Sequence, residues 1–289
     1  MKKEINSKLP EKRTLYKQNE LIRNEYEFNA EFDLVSNRKN LLSIESLKLY
    51  NFLYMVFQFN RDKYNLLEDS KLIITQTDLK KELGINNNNY TKMIETAINE
   101  LLTTIAVIKN FYDKDGNLVH SYKTQLLKSV KDFTSVEDNK TKCFEFQIDN
   151  DLLNFMIKRK GTYTELDLKH YKNFKSANTI RIYEYIKSYQ NARKIPSLDI
   201  KGLNKLLMTK YKYLSDIEKI IDRSIESINE ETDIIVTKTK DKKKKDVTFF
   251  ITKKNKISIE DKDKQKYAIQ KSKEEKELIN KLLNEKGVK

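Results

Sequence analysis

Lys219 and Arg223 stand four positions apart in a helical pattern, so their side chains lie one above the other on a single face. A guanidinium can bind a guanine edge with two hydrogen bonds, and an ammonium is a point charge suited to phosphate. The chemistry this spacing offers is therefore recognition of a polyanion rather than bond making. Lys210, Lys212, Tyr213 and Ser215 precede the pair, and Lys238, Lys240, Lys242, Lys243, Lys244 and Lys245 follow it. Asp216, Asp222 and Glu226 lie at helical spacing from the same two residues, so a solvated face with local ion pairs is the alternative reading. A second cluster earlier in the chain holds Asn88, Asn89, Thr91 and Lys92, with Glu95 and Asn99 on the same outward side. A carboxylate facing phosphates is unfavourable, so this cluster is expected to touch the backbone while the later one reads bases.

No residue pattern suggests an enzyme. His120 and His170 each lack the second histidine or carboxylate pattern of a metal site, and no Gly-rich phosphate loop is present. The histidine pair with a nearby tyrosine expected of a nicking enzyme is missing, as is the Arg-His-Arg set of a tyrosine recombinase. The sixteen tyrosines read more simply as core and interface residues. The single cysteine, Cys143, falls in a strand-like run and reads as a small buried apolar residue. No catalytic residue, metal or cofactor is expected.

The elements that must position the basic residues follow from periodicity. Ile217, Ile220, Ile221, Ile225 and Ile228 mark one face of a helix from Leu214 to Asn229, and Ser215 with Glu218 has capping-box spacing at its start. A shorter helix carrying Leu203, Leu206 and Leu207 precedes it. A strand from Ile234 to Thr239, a polar tip from Lys240 to Asp246, and a strand from Val247 to Thr252 follow. Helix, turn, helix and basic hairpin is the order of a winged helix-turn-helix, whose second helix enters the major groove while the hairpin meets the backbone.

The same order occurs earlier. Lys71 to Ile74 reads as a strand, Thr75 and Asp78 as a capping box, Leu79 and Leu83 as a short helix, and Gly84 as its stop. Asn89 is placed to cap a second helix bearing Met93, Ile94, Ala97, Ile98, Leu101 and Leu102. Ile105 to Phe111 and Leu118 to Val130 form the hairpin strands around a turn from Asp113 to Asn117. Leu79 and Leu83 correspond to Leu203 and Leu207. Met93, Ile94, Ile98 and Leu101 correspond to Ile220, Ile221, Ile225 and Ile228. This reads as an internal duplication of one unit.

Between and around these units, residues 1–25 are charged and read as a flexible arm, and Tyr26 to Val35 as an extended segment. Leu41 to Phe59 is a broad apolar helix suited to a central packing role. Cys143 to Ile148 reads as a strand, Asp151 to Ile157 as a short helix, and Lys158 to Gly161 as a basic junction. Thr162 to Leu168 reads as extended, and Ala177 to Tyr189 as a helix capped by Ser176. The expected fold class is α+β, mainly helical, with two winged helix-turn-helix domains in tandem. The expected domains are residues 26–160 and 161–255, followed by a charged tail, 256–289.

The totals agree with a nucleic-acid partner. The 289 residues carry a net charge of +14 with 38% hydrophobic and 35% charged residues, enough for two cores and a basic surface. A Lys-, Asn- and Ile-rich composition of genomic origin would also raise the charge, so its concentration in one turn and one hairpin says more than its sum. The first residues lack the apolar segment of a signal peptide, and no run approaches membrane-spanning length. A soluble, cytoplasmic protein without a membrane partner is expected.

Tyr163-Thr164, Leu168, Phe174-Lys175-Ser176 and Arg181-Ile182-Tyr183-Glu184 together resemble the inter-domain segment of iteron-binding plasmid replication initiators. Asn37 to Phe57 resembles that family's opening helix, and Ile85 to Leu102, with Asn89-Tyr90, its first recognition unit. Tyr213 and the Ile-rich helix ending at Ile228-Asn229 resemble the second. The resemblance spans roughly residues 20–252 and leaves the tail outside. It implies two winged-helix domains that grip double-stranded DNA as a unit, binding direct repeats (iterons) in a plasmid origin as a monomer. It also implies opening of an adjacent AT-rich region and contact with the host replication initiator and replicative helicase. A homodimer formed through the N-terminal domain would repress the protein's own gene. Two alternatives stand beside this reading: a dimeric winged-helix transcriptional repressor, and a basic scaffold protein without sequence preference.

Overall fold

The computed structural model describes residues 9–19, 22, 31–35, 42–64, 71–86, 88–112, 117–157, 163–192, 194–241 and 245–254. The junction from Lys158 to Gly161, most of the turn from Asp113 to Asn117, the wing-tip residues Lys242 to Lys244 and the tail 256–289 lie outside these residues, as does the helix start at Leu41.

The architecture is mixed α+β. Strand β1 (Thr14–Gln18) pairs antiparallel with β8 (Tyr163–Asp167). β2 (Glu31–Val35), β4 (Ile105–Tyr112) and β5 (Leu118–Gln125) form a three-stranded sheet in the order β2-β4-β5. β3 (Lys71–Thr75), β7 (Lys142–Gln147) and β6 (Ser129–Thr134) form another in the order β3-β7-β6. β9 (Ile234–Asp241) and β10 (Asp246–Lys253) make a hairpin, to which Leu198 adds a single bridge at Val247. The helices are α1 (Ile44–Tyr64), α2 (Gln76–Leu83), α3 (Tyr90–Thr103), α4 (Asn150–Ile157), α5 (Ala177–Ser188), α6 (Ile200–Leu207) and α7 (Leu214–Glu231), with a 3₁₀ turn at His170–Lys172.

α1 is buried on nearly every side. Leu49, Leu53, Tyr54, Met55, Val56 and Phe57 are all closed to solvent, as a central packing helix requires. Ser46, Asn51, Gln58 and Asn60 on it are buried too, and each has a hydrogen-bond partner. The Gln58 amide accepts from the Tyr16 N–H and donates to the Tyr16 carbonyl, both at 3.0 Å. It thereby serves β1 as a neighbouring strand would. Residues 14–18, expected within a flexible arm, are therefore a strand, held by α1 on one side and β8 on another.

Two other expectations change. The return from Leu118 to Val130 is not one strand. β5 ends at Gln125, the bend Leu126-Leu127 is fully buried, and β6 begins in a different sheet. Two consecutive leucines cannot both point inward from a straight strand, because side chains alternate faces. The chain turns there so that both enter the core. α7 also begins one residue before its expected cap. Tyr213 takes the N-cap position without a side-chain bond, and Ser215 lies inside the helix.

Candidate nucleic-acid interface

The later basic cluster rests on a turn held by one side chain. α6 starts at Asp199, whose carboxylate accepts from the Gly202 N–H at 2.7 Å, and ends at Met208 in the left-handed region. The Asn204 amide then reaches across the turn. Its oxygen accepts from the Tyr211 N–H at 2.8 Å and the Thr209 hydroxyl at 2.9 Å, while its nitrogen donates to the Tyr211 carbonyl at 2.8 Å. The turn is thus fixed while Lys210, Lys212 and Tyr213 stay exposed, Tyr213 at 67%. Nothing in the helical period points to Asn204. Its signal is only its place one turn before the end of a short helix.

α7 buries Ile217, Ile221, Ile225 and Ile228 against α5 and the hairpin, leaving Ser215, Lys219 and Arg223 exposed. Its C-terminal end is pinned several times. The Asn229 amide accepts from the Val236 N–H at 2.6 Å and donates to the Val236 carbonyl at 3.0 Å, joining helix to β9. Lys254 donates to the carbonyls of Asn229 and Thr232, a cation where the helix dipole is negative. His170 Nδ1 meets the Glu231 carbonyl at 2.7 Å.

The wing lysines divide. Lys238 lies 2.9 Å from Asp222 and 3.6 Å from Glu218, and Lys240 lies 2.8 Å from Glu218. Both are turned onto α7 rather than outward. Glu218, expected to close a capping box with Ser215, is held by these lysines instead. The hydrogen bond from Lys240 acts most strongly, desolvation opposes it, and the charges of Lys238 and Lys240 add to it, so the carboxyl lies below its ordinary value. Lys245 is exposed at the far side of the tip, with φ 56°.

The earlier cluster is built on the same plan. Thr75 caps α2, accepting from the Asp78 N–H at 3.0 Å, and Gly84 ends it with φ 68°. α3 buries Ile94, Ala97, Ile98 and Leu101 and exposes Lys92, Glu95 and Asn99. Asn88 and Asn89 are exposed before it. Asn89 occupies the N-cap position without a capping bond from its side chain, its ψ of 15° lying outside the extended range of a capping residue. Thr91 is half-buried, and its hydroxyl accepts from Gln76 at 3.3 Å. Glu100 fastens α3 to α1 by accepting from the Ser43 N–H at 2.9 Å and the Ser46 hydroxyl at 2.5 Å.

The segment from Tyr163 to Glu184 works inside the molecule. Thr164 bonds Asn19, Ser176 caps α5, and Leu168 N–H meets the Arg13 carbonyl at 2.8 Å. Arg181 donates to the Leu207 carbonyl at 3.4 Å, at the C-terminus of α6. Burial lowers its pKa to about 10, with the Glu184 charge acting in the opposite direction. Glu184 accepts from Lys17, Asn51 and Tyr171 at 2.7, 3.0 and 3.0 Å.

The profile of the family described as "Initiator Replication protein, WH1" matches residues 14–187, from β1 to the last turn of α5. The chain belongs to the replication-initiator family. Among solved structures it is similar to the Pi initiator protein in complex with iteron DNA, at 12% identity and TM-score 0.53, over 85% of this chain and 100% of that one. A structure of domains 2 and 3 of RctB is similar at 12% identity and TM-score 0.47, over 78% of this chain and 88% of that one. None of the curated proteins compared with the chain matches it. Among the described residues no helix is long and apolar enough to cross a membrane, and no three metal-binding side chains are grouped.

Proposed function

We propose that this initiator binds double-stranded DNA through two winged-helix domains in tandem, residues 26–160 and 161–255, and starts replication of a plasmid. The carrying observation is the repeated build. α2, α3 and the β4–β5 hairpin match α6, α7 and the β9–β10 hairpin in order. Both short helices are eight residues long and end in a left-handed residue, Gly84 and Met208. In this reading α7 is the main base reader through Lys219 and Arg223, with Lys210, Lys212, Tyr213 and Ser215 at its leading end and Lys242 to Lys245 on the phosphates. α3 adds backbone contacts through Asn88, Asn89, Thr91 and Lys92. Monomers occupy direct repeats, open adjacent DNA, and engage the host initiator and helicase. A dimer through the first domain represses the protein's own gene.

The test is selection from a randomised DNA duplex followed by footprinting. Two such domains on one duplex face cover about two helical turns, roughly 20 bp. An asymmetric site of that length, bound independently when repeated head to tail, is expected. Glu95 on the outward face of α3 favours a second reading, a dimeric repressor using one reading helix per protomer. A palindrome bound only by dimers would establish that reading and overturn the first.

A further inference from the structure

Side chains on β9 alternate between two faces. One row runs Ile234, Val236, Lys238 and Lys240, of which Ile234 and Val236 are fully buried. Along α7 the residues meeting that row are Asn229, Asp222 and Glu218. From Lys238 to Lys240 the strand advances about 6.6 Å, and from Asp222 to Glu218 the helix advances about 6 Å, so over these two rungs the rows stay nearly in step. Helix and wing are therefore joined by a ladder that begins as an amide pair and continues as ion pairs. Lys238 is 15% exposed and Lys240 35%, while Glu218 and Asp222 are 31% and 54% exposed on the side of α7 next to Lys219 and Arg223.

We infer that Lys238 and Lys240 are positioning residues that neutralise Glu218 and Asp222 and so allow an acidic helix face to approach DNA phosphates. This rests on the reading of α7 as the DNA-facing helix. They act on recognition through the helix and not as phosphate clamps. The other row of β9, with Thr237 and Thr239 exposed, is the one turned away from α7. Without Lys240, Glu218 and Asp222 would share Lys238 alone, at 3.6 and 2.9 Å, and this face would meet the duplex with one uncompensated negative charge, repelling phosphates at short range. With both partners removed, the local charge is again that of the native pair.

The experiment compares wild type, Glu218→Gln, Lys240→Ala and the double variant, with a parallel set at Asp222→Asn and Lys238→Ala. Binding is measured as a function of salt on the duplex selected by the wild type. Lys240→Ala is expected to weaken binding about tenfold, and the double variant to return within about twofold of wild type with the wild-type salt slope. If Lys240 instead clamps a phosphate, the double variant stays as weak as Lys240→Ala and its salt slope falls by about 0.9. If it only stiffens the wing, the double variant also stays weak, with the slope unchanged. Either result, or no effect of Lys240→Ala, overturns the inference. If selection enriches nothing, the base-reading proposal fails by itself. The same cycle on a mixed-sequence duplex still decides the inference, because neutralisation acts on phosphates of any sequence.

Discussion

Lys17 Nζ lies 2.7 Å from Glu184 Oε2, with side-chain exposures of 7% and 6%, across 167 positions of sequence. Asn51 bonds both partners, and Tyr171 bonds the carboxylate. β1 is thus tied to the helix α5, which precedes the second basic cluster, through a charge pair with almost no water. Removing one partner strands the other charge. Lys17→Met or Glu184→Gln is expected to cost about 3–5 kcal/mol in urea unfolding. A loss below 1 kcal/mol for both would show that the pair is not closed in solution.

Gly84 and Met208 end their helices in the same left-handed conformation, but their surroundings differ. A Cβ at Gly84 would come within 3.0 Å of the Lys172 carbonyl oxygen, which belongs to the segment joining the two units. Gly84→Ala should therefore cost more than the roughly 1–2 kcal/mol of left-handed strain alone. At position 208, where Met is tolerated, the strain can be isolated. Met208→Gly should be more stable than Met208→Ala by about 1 kcal/mol, since both lose the same packing. Thermal melts of the three variants check both statements, and equal stabilities at position 208 would contradict them.

Glu82 should make the fold acid-sensitive. Burial opposes its ionisation, but the hydrogen bond and charge of Arg13, at 2.9 Å, and the charge of Lys172, at 3.2 Å, outweigh it and lower the pKa from its ordinary 4.5. A carboxyl with a depressed folded pKa contributes stability that is complete above its unfolded value and lost as pH falls through its folded value. Glu82→Gln should therefore destabilise the protein at neutral pH and converge with wild type below the ordinary carboxylate range. A constant difference across that range would remove Glu82 as the cause.

Arg223 and Lys92 occupy outward faces of corresponding helices, and the proposal gives them unequal work. Arg223→Ala should reduce discrimination at one guanine by about 1–3 kcal/mol. Lys92→Ala should weaken all duplexes alike, by a smaller factor that shrinks with salt. Binding to single-base variants of the selected site separates the two effects. Preserved discrimination in Arg223→Ala with its loss in Lys92→Ala would reverse the assignment of the reading domain.

Asn204 offers a test of preorganisation. Asn204→Ala removes three hydrogen bonds that hold the turn before α7. Amide exchange at Tyr211 should accelerate, and DNA affinity should fall although no DNA-facing side chain has changed. Unchanged exchange would mean that the turn is held by other contacts.

What the sequence by itself determined were features written within a few residues. The isoleucines of α7, the paired leucines of α2 and α6, the Thr75 cap and the Gly84 stop are local patterns, because helix period, capping and left-handed turns depend on neighbours along the chain. The order of helix, helix and hairpin, seen twice, is legible for the same reason. Tertiary structure decided where charges are spent. Lys17 reads as one more cation in a polar arm, yet it is buried, because α1 and α5 supply an amide and a carboxylate from far along the chain. Glu218 has capping-box spacing, yet Lys240 claims it from 22 positions away. Lys238 and Lys240 look like part of a basic hairpin, yet they face carboxylates. Coulomb attraction acts through space and is indifferent to sequence separation, so which lysines remain for DNA is settled only when wing and helix are packed together.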